Sequence, residues 1–208
     1  MSFMGSKDNI VFGFMDKDRQ DFLKVKHEEA QRLIDKETGL IKTDLVERIK
    51  CPVCKVDDSR NVFKKAGFSF VSCNHCGLLH VNPQLKVDVQ DDIYKSSKMA
   101  NYWIKLQSKS SESDWNAVTK YKPGLKELDI LCPNKGKLLD VGCSIGQFLE
   151  LAQADGWECE GLELNKDAAN IAREKGFKIN DKYKIEDSSY ENNSFDCISL
   201  WGVFEHLT

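Results

Sequence analysis

The sequence predicts an α/β fold, in which a partial, doubly wound parallel sheet follows a group of helices and a small β module. Three observations predict this fold. From Lys137 onward, short apolar runs alternate with helical stretches, which is typical of parallel strands joined by crossover helices. Residues 86–131 carry apolar side chains at helical spacing. Residues 50–83 instead combine short alternating runs with two pairs of cysteines.

The predicted parallel sheet begins with a buried strand and ends near the last residues of the chain. Its strands are Leu138–Val141, Glu158–Leu164, Phe177–Ile179 and Phe195–Trp201, and its helices are Gln147–Asp155 and Lys166–Lys175. Asn165 is placed to cap the second helix, and Gly176 to end it. We expect a ligand beyond the carboxyl ends of the strands, where sheets of this kind bind their ligands.

The residues before the sheet predict helices and a short β segment. Asp16–Glu37 reads as an amphipathic helix and Thr43–Ile49 as a second, short one, while Trp103 and Leu125 are among the buried candidates of the later helices. The predicted domains are an N-terminal helical segment (1–49), the β module (50–84), a helical linker or cap (85–136) and the sheet domain (137–208).

Four cysteines form two Cys-x-x-Cys pairs that are separated by the 18 residues from Lys55 to Ser72. Cys51, Cys54, Cys73 and Cys76 can supply the four thiolates that a structural zinc ion requires. Strands at 61–65, 67–71 and 78–81 would bring the two pairs together. The pattern therefore predicts a zinc ribbon with a structural Zn²⁺.

Composition narrows the choice of partners and compartment. The net charge is −3, and the residues between the cysteine pairs come close to neutral once four thiolates and Zn²⁺ are counted, so a dedicated nucleic-acid binder is disfavoured. The remaining cysteines (Cys132, Cys143, Cys159 and Cys197) are scattered among apolar or glycine-rich positions, which favours a reducing cytoplasm. No stretch is long and apolar enough to predict a membrane span.

The turn after the first parallel strand carries the strongest indication of a ligand. Gly142 and Gly146 allow the backbone to turn sharply and to approach a ligand at the start of a helix. Ser144 and Gln147 stand where a dinucleotide fingerprint would have its second and third glycines, which disfavours NAD and FAD. Glu163, at the end of the second strand, can accept hydrogen bonds from both hydroxyls of a ribose.

These segments resemble class I S-adenosylmethionine-dependent methyltransferases, particularly bacterial ones with an N-terminal zinc ribbon, whose catalytic domain has a Rossmann-like fold. The resemblance covers roughly residues 50–208. Its carrying segments are Cys51–Cys54, Cys73–Pro83, Leu138–Leu149, Glu160–Leu164 and Ser194–His206.

The resemblance implies a role for each matching residue. Gly142, Ser144 and Gly146 would line the methionine moiety, Asp140 would hold its amino end, Glu163 would bind the ribose, and Leu164 would lie against the adenine. Lys184 stands where the family often has an acidic residue for the adenine amino group, so that contact would fall to Ile185 and backbone amides. Trp201 completes the predicted cofactor-binding set. We expect Ser144 to be tolerated in place of glycine if its φ is negative. His206, beyond the fourth strand, is the candidate general base.

The family domain has seven strands, whereas four are predicted here, so we expect the chain to be truncated after the fourth strand. That strand would then have an unpaired apolar edge, through which copies of the chain could associate. Alternatively, the fragment would be inactive alone.

Three functions remain open at this point. The first is methyl transfer from S-adenosylmethionine to a small molecule, such as a sugar or glycan precursor. The second is methylation of an RNA base, because some ribosomal RNA methyltransferases carry an N-terminal zinc module. The third is a zinc-dependent binding or assembly module whose methyltransferase portion is vestigial.

Overall fold

A computed structural model of the chain describes residues 17–109, 116–182 and 190–204. The chain divides into two compact units, and each is considered by itself. One unit comprises Asp21–Ile93 with Ser97–Met99, and the other comprises Met1–Gln20, Tyr94–Ser96 and Ala100–Thr208.

Helix α1, Lys17–Leu33, is the first described element, and its residues from Asp21 onward belong to the first of these units. It confirms the predicted N-terminal helix. The second predicted helix is wrong, because only Thr43–Leu45 forms a single 3₁₀ turn. Strand β1, Val46–Glu47, follows it and pairs antiparallel with β5, Gln84–Leu85. Backbone partners from a distant part of the chain thus determine the conformation of this segment.

A three-stranded antiparallel sheet forms the β module, as predicted. Its strands are β2 (Ser59–Lys65), β3 (Phe68–Cys73) and β4 (Leu79–Val81), in the order β2-β3-β4. Asn82 fixes the strand that enters the first cysteine pair, because its side-chain amide exchanges two hydrogen bonds with the backbone of Ile49, at 2.9 and 3.2 Å.

The predicted helical region, residues 86–131, is helical wherever it is described. It contains α2 (Val87–Ser96), α3 (Lys98–Ser108), the π-helical stretch Ala117–Tyr121 and α4 (Lys122–Leu131). Leu125 is buried as predicted, but Trp103 is 42% exposed. Helical spacing therefore identified the elements correctly without identifying every inward-facing side chain.

The second unit contains a four-stranded parallel sheet, which confirms the predicted fold class. The strands are β6 (Lys137–Val141), β7 (Glu158–Leu162), β8 (Lys178–Asn180) and β9 (Cys197–Ser199), in the order β8-β7-β6-β9. Helix α5, Gln147–Ala154, follows β6, and helix α6, Lys166–Glu174, follows β7. The core of this unit is formed by apolar side chains of the sheet, of α5 and of α6, including Leu138, Phe148, Leu149, Trp157 and Ala169.

The register of the sheet determines which polar groups meet at its carboxyl edge. Asp140 of β6 lies opposite Gly161 of β7 and Ser199 of β9. Central strands of a parallel sheet carry polar residues mainly near their carboxyl ends, where ligands bind. None of the helices in the described parts of the chain has the length and apolar character that crossing a membrane requires.

Candidate functional site

The four paired cysteines lie together at one end of the β module. Their sulfur atoms are all within 4.8 Å of one another. Cys51 Sγ is 3.5 Å from Cys76 Sγ, and Cys54 Sγ is 3.5 Å from Cys73 Sγ. Zn–S bonds of about 2.3 Å at tetrahedral angles require sulfur–sulfur distances of about 3.8 Å. The four positions therefore fit a tetrahedral zinc ion with little movement.

The two Cys-x-x-Cys turns have the same backbone geometry. The N–H of Lys55 donates to the carbonyl of Cys51, and the N–H of Gly77 donates to that of Cys73, both at 2.9 Å. Lys55 and Gly77 also share a left-handed conformation, with φ of 61° and 77°. Two equivalent turns thus present their cysteines to the same point from opposite strands.

Each turn favours the thiolate form of its first cysteine. Backbone N–H groups of Cys54 and Val53 point at the sulfur of Cys51 and lower its pKa to about 6. The N–H groups of Cys76 and His75 lower the pKa of Cys73 in the same way. Hydrogen bonds to the charged form stabilise it, and thiolate is the form that binds a metal.

The glycine loop, residues Gly142–Gly146, joins the carboxyl end of β6 to helix α5. The N–H groups of Gly142 and Cys143 donate to the carbonyl of Leu162 at 2.7 and 3.1 Å, which fastens the loop to the end of β7. Gly142 and Gly146 have φ of 75° and 80°, as their identity predicts. A Cβ atom at Gly142 would overlap the side chain of Val203, so the segment after β9 passes close to the loop.

Ser144 differs from the expectation made for it. Its φ is +49°, in the left-handed region, so the condition under which serine was expected to replace glycine without strain is not met. Two hydrogen bonds accompany this conformation: the Ser144 N–H donates to Glu163 Oε2 at 2.8 Å, and the Ser144 hydroxyl donates to Gln107 Oε1 at 2.5 Å. A serine adopts this conformation rarely, so these contacts have to offset its strain.

Glu163 lies where β7 meets the glycine loop. One carboxylate oxygen accepts from Ser144 N–H and the other accepts from Asn165 N–H, at 2.7 Å. Burial raises the pKa of Glu163, and the backbone amides oppose that rise. The N–H of Leu164 also hydrogen-bonds to this carboxylate. Three backbone donors therefore orient it, and its four lone pairs leave room for a further donor.

Asp140 is a second acidic group at the same edge of the sheet. It is only 2% exposed, and it accepts a hydrogen bond from Ser199 Oγ at 2.7 Å. Burial raises its pKa to about 7, with a smaller contribution from the charge of Glu163. A buried and a half-buried carboxylate at adjacent strand ends create a site that favours a positively charged ligand.

Asn165 holds the start of α6, as predicted, and also has a second role. Its Oδ1 accepts from the N–H groups of Asp167 and Ala168 at 3.0 and 3.1 Å. Its Nδ2 donates to the carbonyl of Lys95, at the end of α2, at 3.1 Å. One buried side chain therefore caps the start of one helix and the end of another. Next to it, Lys95, Leu164, Lys166 and Asp167 line a cavity of about 280 Å³.

The remaining predicted residues are placed differently. The ring of Trp201 packs against Phe148 and Tyr121, with ring centroids 5.1 and 5.3 Å away, in the core cluster. A cofactor contact by Trp201 therefore rests on the sequence alone. Ile185 and His206 lie outside the described residues, so their predicted roles stay predictions. Burial raises the pKa of Cys143 strongly, which agrees with a packing role for this thiol.

Sequence reasoning missed two contacts of this site. Ser199 could have been found, because pairing of β6 with β9 places it beside Asp140. Gln107 gave no signal, since it lies 37 residues before Ser144 on a separate helix.

Comparisons with known proteins agree with this geometry. Residues 116–208 match the model of a family described as "Methyltransferase domain". This part of the chain, less than half of its length, is thus similar to methyltransferase domains, in agreement with the resemblance that its motifs carry. No curated protein matches the chain.

Two solved structures illustrate the extent of structural likeness. The plantazolicin methyltransferase BpumL in complex with SAH aligns with 18% identity and a TM-score of 0.41, over 53% of this chain and 44% of that one. The PH0226 protein from Pyrococcus horikoshii OT3 aligns with 21% identity and a TM-score of 0.32, over 45% of this chain and 49% of that one. The chain thus spans less than half the length of either protein.

Proposed function

We propose that the methyltransferase domain binds S-adenosylmethionine at the glycine loop and that the protein transfers the cofactor's methyl group to a small molecule. One observation carries this proposal: the buried carboxylate of Asp140 and the half-buried carboxylate of Glu163 flank a glycine loop at the carboxyl ends of adjacent parallel strands. Such strand ends are where α/β sheets bind ligands.

The charge of the site suits this cofactor. S-adenosylmethionine carries an ammonium and a sulfonium, and a nearby cation stabilises the ionised form of a carboxylate whose pKa burial has raised. Asp140, with a pKa of about 7, would pair with the amino end through hydrogen bonds. The negative charge of the two carboxylates would thereby increase the affinity for the positively charged cofactor.

Glu163 is the proposed ribose ligand. Its two oxygens already accept from Ser144 and Asn165 N–H groups, which fixes the plane of the carboxylate before a ligand arrives. The remaining acceptor capacity of the carboxylate can then take hydrogen bonds from the ribose hydroxyls. Leu164, which lines the adjacent cavity, would offer an apolar surface to the adenine.

The cofactor supplies a methyl group on a good leaving group, so the protein contributes mainly proximity and alignment. A base is needed only where the acceptor must lose a proton, and His206 is the proposed base. A sugar or glycan precursor is the proposed acceptor, on the resemblance to zinc-ribbon methyltransferases. RNA methylation is less favoured because the chain has a net charge of −3 and lacks the basic field that RNA binding requires.

We also propose that Cys51, Cys54, Cys73 and Cys76 hold one structural Zn²⁺. The support is the sulfur geometry and the matched pair of turns. Four thiolates leave no coordination position for a substrate, so the ion would stabilise the β module without taking part in methyl transfer. A reducing cytoplasm is the proposed location, since it keeps such thiols available to the metal.

The test is binding of S-adenosylhomocysteine, measured by calorimetry. We expect Glu163→Gln to weaken binding about 10- to 100-fold, because hydrogen bonds to a charged acceptor contribute about 1.5–3 kcal/mol. Glu160→Gln is the matched control, since this acidic residue of β7 pairs with Lys178 at 2.8 Å. Its binding should equal that of the wild type.

The alternatives predict different results. A vestigial site would give no heat with S-adenosylhomocysteine in any variant, and this would refute the proposed function. An RNA methyltransferase would bind the cofactor and would also bind RNA with a steep salt dependence. Methyl transfer to a sugar acceptor, and none to RNA, is the result expected for the proposed function.

A further inference from the structure

The C-terminal half of helix α3 lies directly on the glycine loop. Ile104 of this helix packs with Ile145 of the loop and Ala168 of α6, and these three side chains are between 1% and 9% exposed. Ile145 immediately follows Ser144, so the apolar contact lies beside the strained residue. Helix α3 is therefore packed against the segment that would receive the cofactor.

Gln107 adds two hydrogen bonds to this contact, one turn after Ile104. Its side-chain oxygen accepts from the Ser144 hydroxyl at 2.5 Å, and its backbone carbonyl accepts from Gln147 Nε2 at 3.1 Å. Gln107 thus contacts the middle of the glycine loop and the first residue of α5. Carbonyl groups in the last turn of a helix have no partner within the helix, which makes this one available to Gln147.

The hydrogen bond between Gln107 and Ser144 matters because Ser144 has an unfavourable backbone conformation. An L-residue at φ +49° is strained, and glycine would adopt this conformation without that strain. The same conformation directs the Ser144 N–H toward Glu163 Oε2 and its hydroxyl toward Gln107 Oε1. Serine at this position provides one thing that glycine lacks, which is the hydroxyl.

We propose that Gln107 is a positioning residue of the cofactor site: it holds Ser144 through the hydroxyl, and it thereby couples closure of helix α3 over the glycine loop to the orientation of Glu163. The role in cofactor binding rests on the proposed function. The coupling within the protein stands on the contacts of Gln107, Ser144 and Glu163 themselves.

Coupling of this kind is reciprocal. A cofactor that engages Glu163 would stabilise the Ser144 conformation and, through it, the packing of α3. Loss of the hydroxyl contact would in turn weaken cofactor binding, although neither Gln107 nor the Ser144 hydroxyl needs to touch the cofactor.

Four variants separate this role from simple packing. Gln107→Met removes the acceptor oxygen and keeps the length of the side chain. Ser144→Ala removes the hydroxyl and keeps the strain, whereas Ser144→Gly removes both. Ser108→Ala is the matched control, because the Ser108 hydroxyl donates to the Ile104 carbonyl within the same helix, at 2.9 Å.

Two measurements are made on the full chain: the affinity for S-adenosylhomocysteine, and hydrogen exchange of residues 98–108. We expect Gln107→Met and Ser144→Ala each to weaken binding about 2- to 10-fold and to speed exchange by a similar factor, the range for one neutral hydrogen bond. The double variant Gln107→Met/Ser144→Ala should bind S-adenosylhomocysteine no more weakly than the weaker-binding of the two single variants. Ser144→Gly should unfold close to the wild-type temperature, because relief of strain is offset by the greater freedom of glycine in the unfolded chain. It should still bind more weakly, a combination that a merely structural role would not produce.

Other results would overturn the proposal. Wild-type affinity in Gln107→Met and Ser144→Ala would do so, as would additive losses in the double variant or equal losses in Ser108→Ala. If the wild type itself binds no S-adenosylhomocysteine, the proposed function fails, and exchange alone decides the coupling. Unchanged exchange of residues 98–108 in Gln107→Met and Ser144→Ala would then refute it.

Discussion

Single residues at the carboxyl edge of the parallel sheet carry most of the chemistry of this chain. Asp140 is a buried acid and Glu163 a half-buried one, and their contacts are hydroxyl and backbone N–H groups. Burial raises the pKa of both carboxyl groups. Ionisation of these carboxyl groups at neutral pH therefore lowers the free energy of unfolding. Such costs are common at functional sites, where a bound cation can neutralise the charge.

Asp140 should make the stability of the protein depend on pH. Its pKa rises from 3.8 to about 7 on folding, so its stabilising contribution is complete below about pH 4 and is lost as the pH rises through 7. At about 1.4 kcal/mol per pKa unit, the loss is about 4 kcal/mol at most. We expect Asp140→Asn to flatten this fall in urea unfolding between pH 4.5 and 8.

The pKa of Glu163 is also raised, so this residue likewise lowers the free energy of unfolding as the pH rises. In Asp140→Asn, the free energy of unfolding should therefore still fall with pH, but less steeply than in the wild type. Asp57→Asn, at an exposed position of the β module, is the control and should follow the wild type. Parallel pH profiles for the wild type and Asp140→Asn would contradict the assignment.

The equivalent left-handed residues of the two cysteine turns allow a second test. Gly77→Ala should cost about 1 kcal/mol through backbone strain alone, because a Cβ there would meet no atom within 4 Å. Lys55→Gly should be close to neutral, since relief of strain at φ 61° is offset by the greater freedom of glycine in the unfolded chain. Urea unfolding of the zinc-loaded protein measures both, and equal effects would contradict the strain argument.

At the level of elements, we expect the β module to depend on the proposed zinc ion. Its three strands are short, and most residues of β2 are exposed, so apolar burial contributes little to its stability. Structural zinc sites of small modules contribute about 10–16 kcal/mol of apparent binding free energy at neutral pH. The metal is therefore expected to determine whether this sheet forms.

Chelation should unfold the β module and leave the parallel sheet folded. We expect one zinc per chain by elemental analysis, lost in Cys73→Ser and retained in Cys132→Ser, whose thiol lies outside the cluster. Hydrogen exchange after chelation should rise in residues 50–83 and stay slow in β6 and β7. Full metal content in Cys73→Ser, or unfolding of β6 after chelation, would refute this assignment.

At the level of the whole molecule, the parallel sheet has an open side. Within the described residues β9 pairs only with β6, and Ile198, Leu200 and Phe204 on and after β9 are 36–76% exposed. An exposed strand edge with apolar side chains is a template for pairing with another strand.

We predict that copies of the chain associate through β9. Light scattering should show a mass that increases with protein concentration, and Ile198→Lys should reduce that increase by adding charge to the strand. Leu23→Lys is the matched control, because Leu23 on α1 is equally exposed, at 53%. A monomer at every concentration, or the same reduction in both variants, would contradict the prediction.

The sequence by itself determined the features that depend on local pattern. Cysteine spacing identified the metal cluster, apolar runs identified the strands of the parallel sheet, and Asn165 and Gly176 marked the ends of α6. These features follow from covalent geometry and from hydrogen bonds between near neighbours, so a short window of residues contains them.

Only the tertiary structure decided the features that depend on distant partners. It turned Val46–Glu47 into a strand by pairing it with β5, exposed Trp103, and placed the ring of Trp201 in the core. It also gave Ser144 its left-handed conformation, because Gln107 and Glu163 are available to its hydroxyl and N–H. A contact between residues far apart in the chain leaves no periodic trace in the sequence, and its energy arises only when the fold brings both partners together.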